Sequence, residues 1–467
     1  MLVAALVMVW PALYNGYPLL YPDSMSYLQQ GPLVARALFL RQFAPSYGGR
    51  SLIYSVGILP LHWNITPWPV VICDALVTAY ILWLVVRSLL PRRTLAAYFV
   101  LVVSLSLFTG LGWFVGWIMP DIFGPVLYLA VYLLVFAKET LSRAERVTVV
   151  LIAWWGVAAH LTHLVLAAGL CVLLVALLIV ERQRTRRALR AVATVAMIVL
   201  LAAGAQVSLH AYLYGEPSLS GKRPPFVMAR MIADGPGRWY LQRECPRQHV
   251  EVCAHVHDLP ADVADFLWRS DGIWQSASPA QQERMRHEEM SVVVGTLRAY
   301  PREELRVSVR HFWEQLHTFG LWGYGPRPWI LTMVDTVLPG ARARYLRSRQ
   351  AQQTLPAEFF TSLQDWTVIG CVIVIACWAV FVRQWWSPRL IGLTVIIGFV
   401  VTANAAVTGV LSNVEDRYQA RVIWLVPLLA GVFVWTWVDR RHRPRRLPPT
   451  EGQGGNAGPL PEGRLSG

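Results

Sequence analysis

The chain of 467 residues is 55% hydrophobic and only 15% charged, with a formal net charge of +14. A soluble chain of this length would carry about a quarter charged residues, so an ordinary soluble globular protein is excluded. The positive charges sit mostly in short clusters at the ends of apolar runs, which reads as membrane orientation and argues against a nucleic-acid partner.

Several uncharged runs, such as Thr94 to Phe114, Gly392 to Val414 and Val422 to Val438, approach the ~20 residues needed to cross hydrocarbon. The pattern predicts an all-α polytopic membrane protein. Crossings are expected near 1–14, 67–90, 94–114, 121–138, 146–160, 163–181, 189–209, 366–383, 389–411 and 421–438, about ten in all. Basic clusters at Arg87, Arg92 and Arg93, at Lys138, Arg143 and Arg146, from Arg182 to Arg190, at Arg383 and Arg389, and from Arg440 to Arg446 mark cytoplasmic loops. Both termini are then cytoplasmic, and the short Arg-rich loops suit a bacterial inner membrane. The first crossing is short: fourteen residues rise about 21 Å against ~30 Å of hydrocarbon. No positive n-region precedes it, so it is not read as a secretory signal, and the true start is expected a few residues upstream.

This topology divides the chain into an N-terminal bundle (1–209), a mostly helical extracytoplasmic domain (210–365), C-terminal transmembrane helices (366–438) and an Arg-, Pro- and Gly-rich cytoplasmic tail (439–467) expected to be disordered. The other outer segments are 15–66, 113–121, 160–163 and 412–420.

The first outer loop, 15–66, opens with YPDSMSYL, residues Tyr21 to Leu28. Its Asp23 has two readings: the N-cap of a helix starting at Ser24, or a carboxylate held at the membrane surface for chemistry. Asp74, within VVICDALV, is costly at a span centre but lies only a turn and a half from the outer end, where it can face the interface. Asp121 follows Pro120 and precedes an apolar run, which suits an N-cap as well as a site. His160 and His163 (AHLTH) are spaced to line a cavity. Trp113, Trp117 and Trp322 fall at expected interfaces.

In the large outer segment, Cys245 and Cys253 of ECPRQHVEVC are the only cysteines, and a disulfide is the favoured reading over metal binding with His249, His255 and His257. Cys73, Cys171, Cys371 and Cys377 lie in apolar spans as packing residues. Further on, residues 294–320 place Leu305, Val309, Phe312, Leu316 and Phe319 at helical spacing, with Arg and Glu opposite. Such an amphipathic helix can lie on the membrane or cover the domain's own core, and covering a core is the commoner role.

Three short stretches then carry a resemblance. NGYPLLYPDSMSYL (15–28), WIMPDIF (117–123) and SNVEDRYQARVIWLVPL (412–428) resemble the layout of the GT-C superfamily of membrane glycosyltransferases, which includes protein O-mannosyltransferases and the lipid A aminoarabinose transferase. The resemblance implies a polyprenyl-phosphate sugar as donor, Asp23 as catalytic base, Asp121 as a second acid and an Arg-Tyr pair, Arg417 and Tyr418, before the last span. The first loop carries the single Asp23 rather than an Asp-X-Asp or Glu-Asp pair. That departure speaks against a metal-dependent nucleotide-sugar mechanism, and no metal or cofactor is expected.

The same chemistry follows from the residues. Transfer to a hydroxyl needs a base near the acceptor O–H and cations for the leaving phosphate. Arg50, Arg417 and Arg421 are suited to hold a phosphate, with Tyr21, Tyr27, His160, His163 and Tyr418 lining the cavity. Arg417 can also simply pair with Glu415 or Asp416 at the surface. Expected partners are the lipid-linked donor, membrane lipid and a glycan, lipid or protein acceptor. A transporter or flippase is the competing class, although inverted repeats and helices broken at the midplane are not evident. A non-catalytic membrane assembly protein is the third.

The topology is directly testable. A reporter fused after Arg187 should read as cytoplasmic and one near Gly272 as external; the opposite pattern would place Asp23 on the wrong side for a lipid-linked sugar.

Overall fold

A computed structural model describes residues 1–44, 47, 49–180, 185–325, 327–381 and 386–441, and among them no strand occurs. The helices in chain order are α1 (Leu2–Met8), α2 (Trp10–Asn15), α3 (Pro22–Leu40), α4 (Leu52–His62), α5 (Trp68–Leu89), α6 (Thr94–Phe108), α7 (Leu111–Val115), α8 (Phe123–Phe136), α9 (Arg143–Ala158), α10 (Leu161–Val180) and α11 (Arg186–Tyr214). A middle set follows: α12 (Phe226–Asp234), α13 (Pro236–Glu244), α14 (Val263–Leu267), α15 (Ile273–Ser276), α16 (Pro279–Ala299), α17 (Pro301–His317), α18 (Pro328–Val337) and α19 (Arg342–Leu346). The chain returns to long apolar helices with α20 (Ala357–Phe381), α21 (Pro388–Leu411), α22 (Asp416–Ile423) and α23 (Leu425–Arg441).

Six segments among the described residues are long and apolar enough to cross a membrane, namely Trp68–Leu89, Leu161–Val180, Ala188–Tyr214, Ala357–Phe381, Pro388–Leu411 and Asp416–Arg441. That is the architecture of an α-helical multi-pass membrane protein, but not with the ten spans expected. The expected first crossing is broken at Val9, next to Pro11, into helices of 7 and 6 residues. The run from Thr94 ends at Thr109, whose extended backbone breaks it after 15 residues. α8 and α9 have 14 and 16 residues. Each falls short of the ~20 residues that hydrocarbon demands. The expected tail lies, from residue 442 onward, outside the described residues.

The first loop is not an open, wet segment. It folds into α3 and α4, packed on each other. Tyr21 has extended backbone, Pro22 occupies the first helical position, and the Tyr21 N–H donates to Ser24 Oγ at 2.9 Å. Proline is at home there because its missing N–H would have no helical partner. The cap of α3 is thus made by Ser24, and Asp23 is left free to pair elsewhere.

Two clasps fix the entry to this loop. The Gln350 amide exchanges hydrogen bonds with the Leu20 backbone at 3.0 and 2.6 Å, and the Gln350 N–H donates to Asn15 Oδ1 at 2.7 Å. On the other side Leu19 pairs with the 116–118 backbone through bonds of 2.9 and 3.1 Å. The second clasp brings the stretch before Asp23 alongside the stretch before Asp121.

The middle segment is not one unit with one core. Met228, Ile232, Leu241, Phe266, Leu267, Trp274 and Val292 form a separate small core over 226–300. Leu321, Tyr324, Ile330, Val334 and Tyr345 instead join the core of the bundle. The long amphipathic run breaks at Tyr300–Pro301 into α16 and α17. The expected stripe is split: Leu316 and Phe319 pack against the bundle core, but the first turns of α17 do not bury theirs. Leu305 and Val309 are 66% and 47% exposed, whereas Glu304, His311 and Gln315 are buried. Trp113 and Trp117 also depart from expectation, being fully buried, whereas Trp322 is exposed.

Cys245 and Cys253 are joined, and Cys73, Cys171, Cys371 and Cys377 are free. The eight-residue separation closes a small loop at the end of α13. Mass spectrometry of unreduced protein should show the cross-linked peptide; two free thiols in fresh protein would remove the bridge.

Candidate functional site

The chemistry-bearing residues gather where α3, α8, α10, α21 and α22 meet at one end of the bundle. Asp23, in the first turn of α3, is 6% exposed. Its Oδ1 receives Arg50 Nη2 at 2.6 Å and its Oδ2 receives Arg417 Nη1 at 3.5 Å. No backbone group is capped by it, which sets aside the N-cap reading. Asp121 sits in a short 3-10 turn, Pro120–Ile122, and pairs through Oδ1 with Arg421 at 3.3 Å. Both partners are almost wholly buried, and Asp121 Oδ2 has no hydrogen-bond partner among the described residues.

The arginines come from a helix built to aim them. α22 is short because Pro427 lacks the N–H that would continue the ladder to Ile423, and the chain turns at Trp424 into α23. Asn404, in the apolar α21, locks α22 in place. Its Nδ2 donates to the Tyr418 carbonyl and Gln419 Oε1 at 2.7 and 2.9 Å, and its Oδ1 accepts from Arg421 Nη2 at 2.9 Å. Arg417 lies over the rings of Tyr21 and Tyr418, 4.7 and 5.0 Å from their centroids. Such cation–π contact orients a guanidinium without neutralising it. The expected surface pairing with Glu415 or Asp416 is not made: Asp416 Oδ1 instead accepts the Gly320 N–H at 2.7 Å.

A cavity of about 260 Å³ opens beside these groups. Of the expected residues, Tyr27, Arg50, His160, Arg417 and Tyr418 line it. Asp23 stands immediately behind Arg50 and Arg417. Four expectations need correction. Arg421 is not a free phosphate ligand but a buried partner of Asp121 and Asn404. Tyr21 props Arg417 from below rather than lining the cavity. His163 is fully buried, packed on Gly124, with Nδ1 bonded to the Gly156 carbonyl at 2.9 Å. Asp74 does not face the interface; it is 2% exposed, and its Oδ2 lacks a partner among the described residues.

The cavity also holds residues that sequence reasoning passed over: Gln206, His210, Arg223 and Phe226. Gln206 and His210 project four residues apart from the last turns of α11, and Gln206 Nε2 caps the end of α9 through the Ala158 carbonyl at 3.1 Å. Two polar residues on one face of an otherwise apolar helix were the available signal. Arg223 is held by Glu289 at 2.9 Å, so the small domain forms one wall. α10 and α21 bring apolar side chains to the lining, Val165, Val407 and Leu411, beside the hydroxyls of Thr162 and Thr408.

Burial pushes the Tyr21 hydroxyl up in pKa, an effect that Arg417 partly offsets. His160 is half-buried and lines the cavity. Burial, and then the charges of His163, Arg421, Arg417 and Arg50, hold its pKa well below the ordinary histidine value. Its Nδ1 accepts the Thr162 N–H at 3.2 Å, so the neutral ring carries its proton on Nε2 and can only donate from there. His160 is therefore a hydrogen-bond donor at this site, not a base.

The sign of its pH effect follows. A depressed folded-state pKa means that the unfolded chain binds more protons below about pH 6.5, so stability falls on acidification through that value. Between pH 7 and pH 5, the melting temperature of the wild type should drop more than that of His160→Gln. Parallel curves would mean that His160 is not held neutral.

No protein-family model matches the chain, and comparison with curated proteins and with solved structures also yields no match.

Proposed function

We propose that the protein is an integral membrane transferase that moves a sugar from a polyprenyl-phosphate donor to an acceptor on the outer face of the membrane. One observation carries this reading. Asp23 is gripped by two arginines at a cavity whose lining sets those cations together with apolar side chains of α10 and α21. The buried cluster of Arg50, Arg417 and Arg421 against Asp23 and Asp121 carries one more positive than negative charge. An excess guanidinium beside an apolar cleft suits the phosphate and first isoprene units of a lipid phosphate.

The arrangement supports a simple sequence of events. A phosphate entering the cavity competes with Asp23 for Arg50 and Arg417 and draws their charge away from the carboxylate. Asp23, released, takes the proton of the acceptor hydroxyl. The acceptor oxygen forms its bond to the sugar C1 as the C1–O bond to phosphate breaks. The electron pair leaves with the polyprenyl phosphate, whose charge is met by Arg50, Arg417 and the Nε2–H of His160. Preorganised donors of this kind are worth most where water is excluded.

A second reading has its own observation. Asp74, a carboxylate inside a candidate span with an unpaired oxygen, is the kind of residue that proton-coupled transporters use.

Transfer from a radiolabelled polyprenyl-phosphate sugar separates the two. Asp23→Asn should lower kcat by about 10²–10⁴-fold with the protein still folded and inserted. Arg417→Ala should raise KM for the donor more than it lowers kcat. Asp121→Asn should act mainly on stability, because breaking a buried ion pair strands its partner at a cost of about 3–5 kcal/mol. Full transfer activity in Asp23→Asn, or loss of function only in Asp74→Asn, would defeat the transferase reading.

A further inference from the structure

α17 presents three faces, and they are arranged the wrong way round for a water-soluble helix. At 100° per residue, Glu304, His311 and Gln315 fall on one side, Leu305, Val309, Phe312 and Leu316 on the next, and Arg306 and Arg310 on the third. The inward side is polar and held by ion pairs and amide bonds. Glu304 pairs with Arg230 at 3.1 Å, His311 Nε2 lies 3.2 Å from Asp234, and Gln315 exchanges bonds of 2.9 Å in each direction with the Glu415 backbone. The apolar side faces outward: Leu305, Val309 and Trp313 are 66%, 47% and 54% exposed. Facing water, this arrangement would forfeit the transfer energy of several large apolar side chains. Facing acyl chains, it forfeits nothing.

The position of the helix agrees. α17 packs on the last turns of α21, a candidate span ending at Leu411. The approach is close enough that a Cβ at Gly409 would come within 2.8 Å of the His311 carbonyl. The segment after α17 runs directly onto α20, another candidate span, through Leu321 N–H to Thr361 Oγ1 at 2.9 Å. The exposed stripe therefore lies at the level where two spans end, continuous with lipid-facing surface such as Phe359 and Trp366 of α20, 63% and 74% exposed.

We propose that α17 is an interfacial helix seated in the headgroup–acyl boundary of the leaflet at the Asp23 end. Its exposed Leu305, Val309 and Trp313 meet acyl chains, and the exposed Arg306 and Arg310 meet anionic phospholipid headgroups. The seat has a consequence for the site. Gln315 holds Glu415, and Asp416 holds Gly320, so the chain entering Arg417 is tethered to a helix that rides on the leaflet. The lipid surface thereby positions the cation that grips Asp23. The inference depends on the fold alone and stands whether or not the protein is a sugar transferase.

Spin labels test it without any assay of turnover. With Cys73, Cys171, Cys371 and Cys377 replaced and the disulfide kept, single labels are introduced as Leu305→Cys, Val309→Cys, Arg306→Cys and Arg310→Cys. All four positions are exposed, and only Arg310→Cys removes a contact to the packed side, a 3.9 Å approach to Asp234 that leaves the closer His311 and Arg230 contacts in place. The protein is placed in nanodiscs of phosphatidylcholine containing a minority of phosphatidylglycerol. Labels at 305 and 309 should relax several-fold more with oxygen than with a water-soluble nickel chelate, and labels at 306 and 310 should show the reverse. Water-like behaviour at 305 and 309 would overturn the proposal. So would shielding of those two positions from both reagents, which would mean that a second copy or another protein covers the stripe.

Discussion

Charge taken out of water must be answered by charge, and the Asp23 end of the bundle is organised around that demand. Two carboxylates and three guanidiniums sit where the surrounding helices are apolar, and each is placed by another element so that none stands alone. Arg50 comes from the turn before α4, and Arg417 and Arg421 from α22. An ion pair this buried is weak evidence of stability, because desolvation can exceed the Coulombic gain. Its retention is better understood as poise. On the proposed function, the pair at Asp23 is held by the residues that a phosphate would claim, so an arriving anion would change the state of the carboxylate without moving the scaffold.

That scaffold is held rigid by amides rather than by further charges. Gln350 clasps the backbone at Leu20, Asn404 clasps α22, and Gln315 clasps Glu415. Each amide offers donors and an acceptor at once: Gln350 and Gln315 each meet both the N–H and the C=O of one backbone residue, and Asn404 joins the Tyr418 carbonyl to Gln419 and Arg421. The result is precise placement at the places where helices end.

The small domain and α17 extend the site in two directions. The domain closes one wall of the cavity through Arg223 and Phe226, while α17 carries the tether to Arg417 outward to the stripe of Leu305 and Val309. With α17 seated in the leaflet as proposed, aqueous and lipid surroundings would both bear on the same arginine-gripped carboxylate. That geometry fits a reaction joining a water-borne or membrane-borne acceptor to a lipid-borne donor.

The sequence by itself determined the class, because uncharged runs with basic ends have few other uses, and residue type and placement marked out Asp23, Arg50, Arg417 and Arg421, the base role of Asp23 being what the resemblance implies. The disulfide was equally legible from two cysteines eight apart. Only the tertiary structure decided how many runs are long enough to cross, since breaks at Val9 and Thr109 depend on local backbone that hydropathy does not see. It alone separated Arg417, which faces the cavity, from Arg421, which Asp121 and Asn404 consume four residues later. It alone buried Asp74 and His163. And it turned α17 over: periodicity shows that a helix has an apolar stripe, but which medium that stripe meets is set by what the polar side binds, here Arg230, Asp234 and the Glu415 backbone.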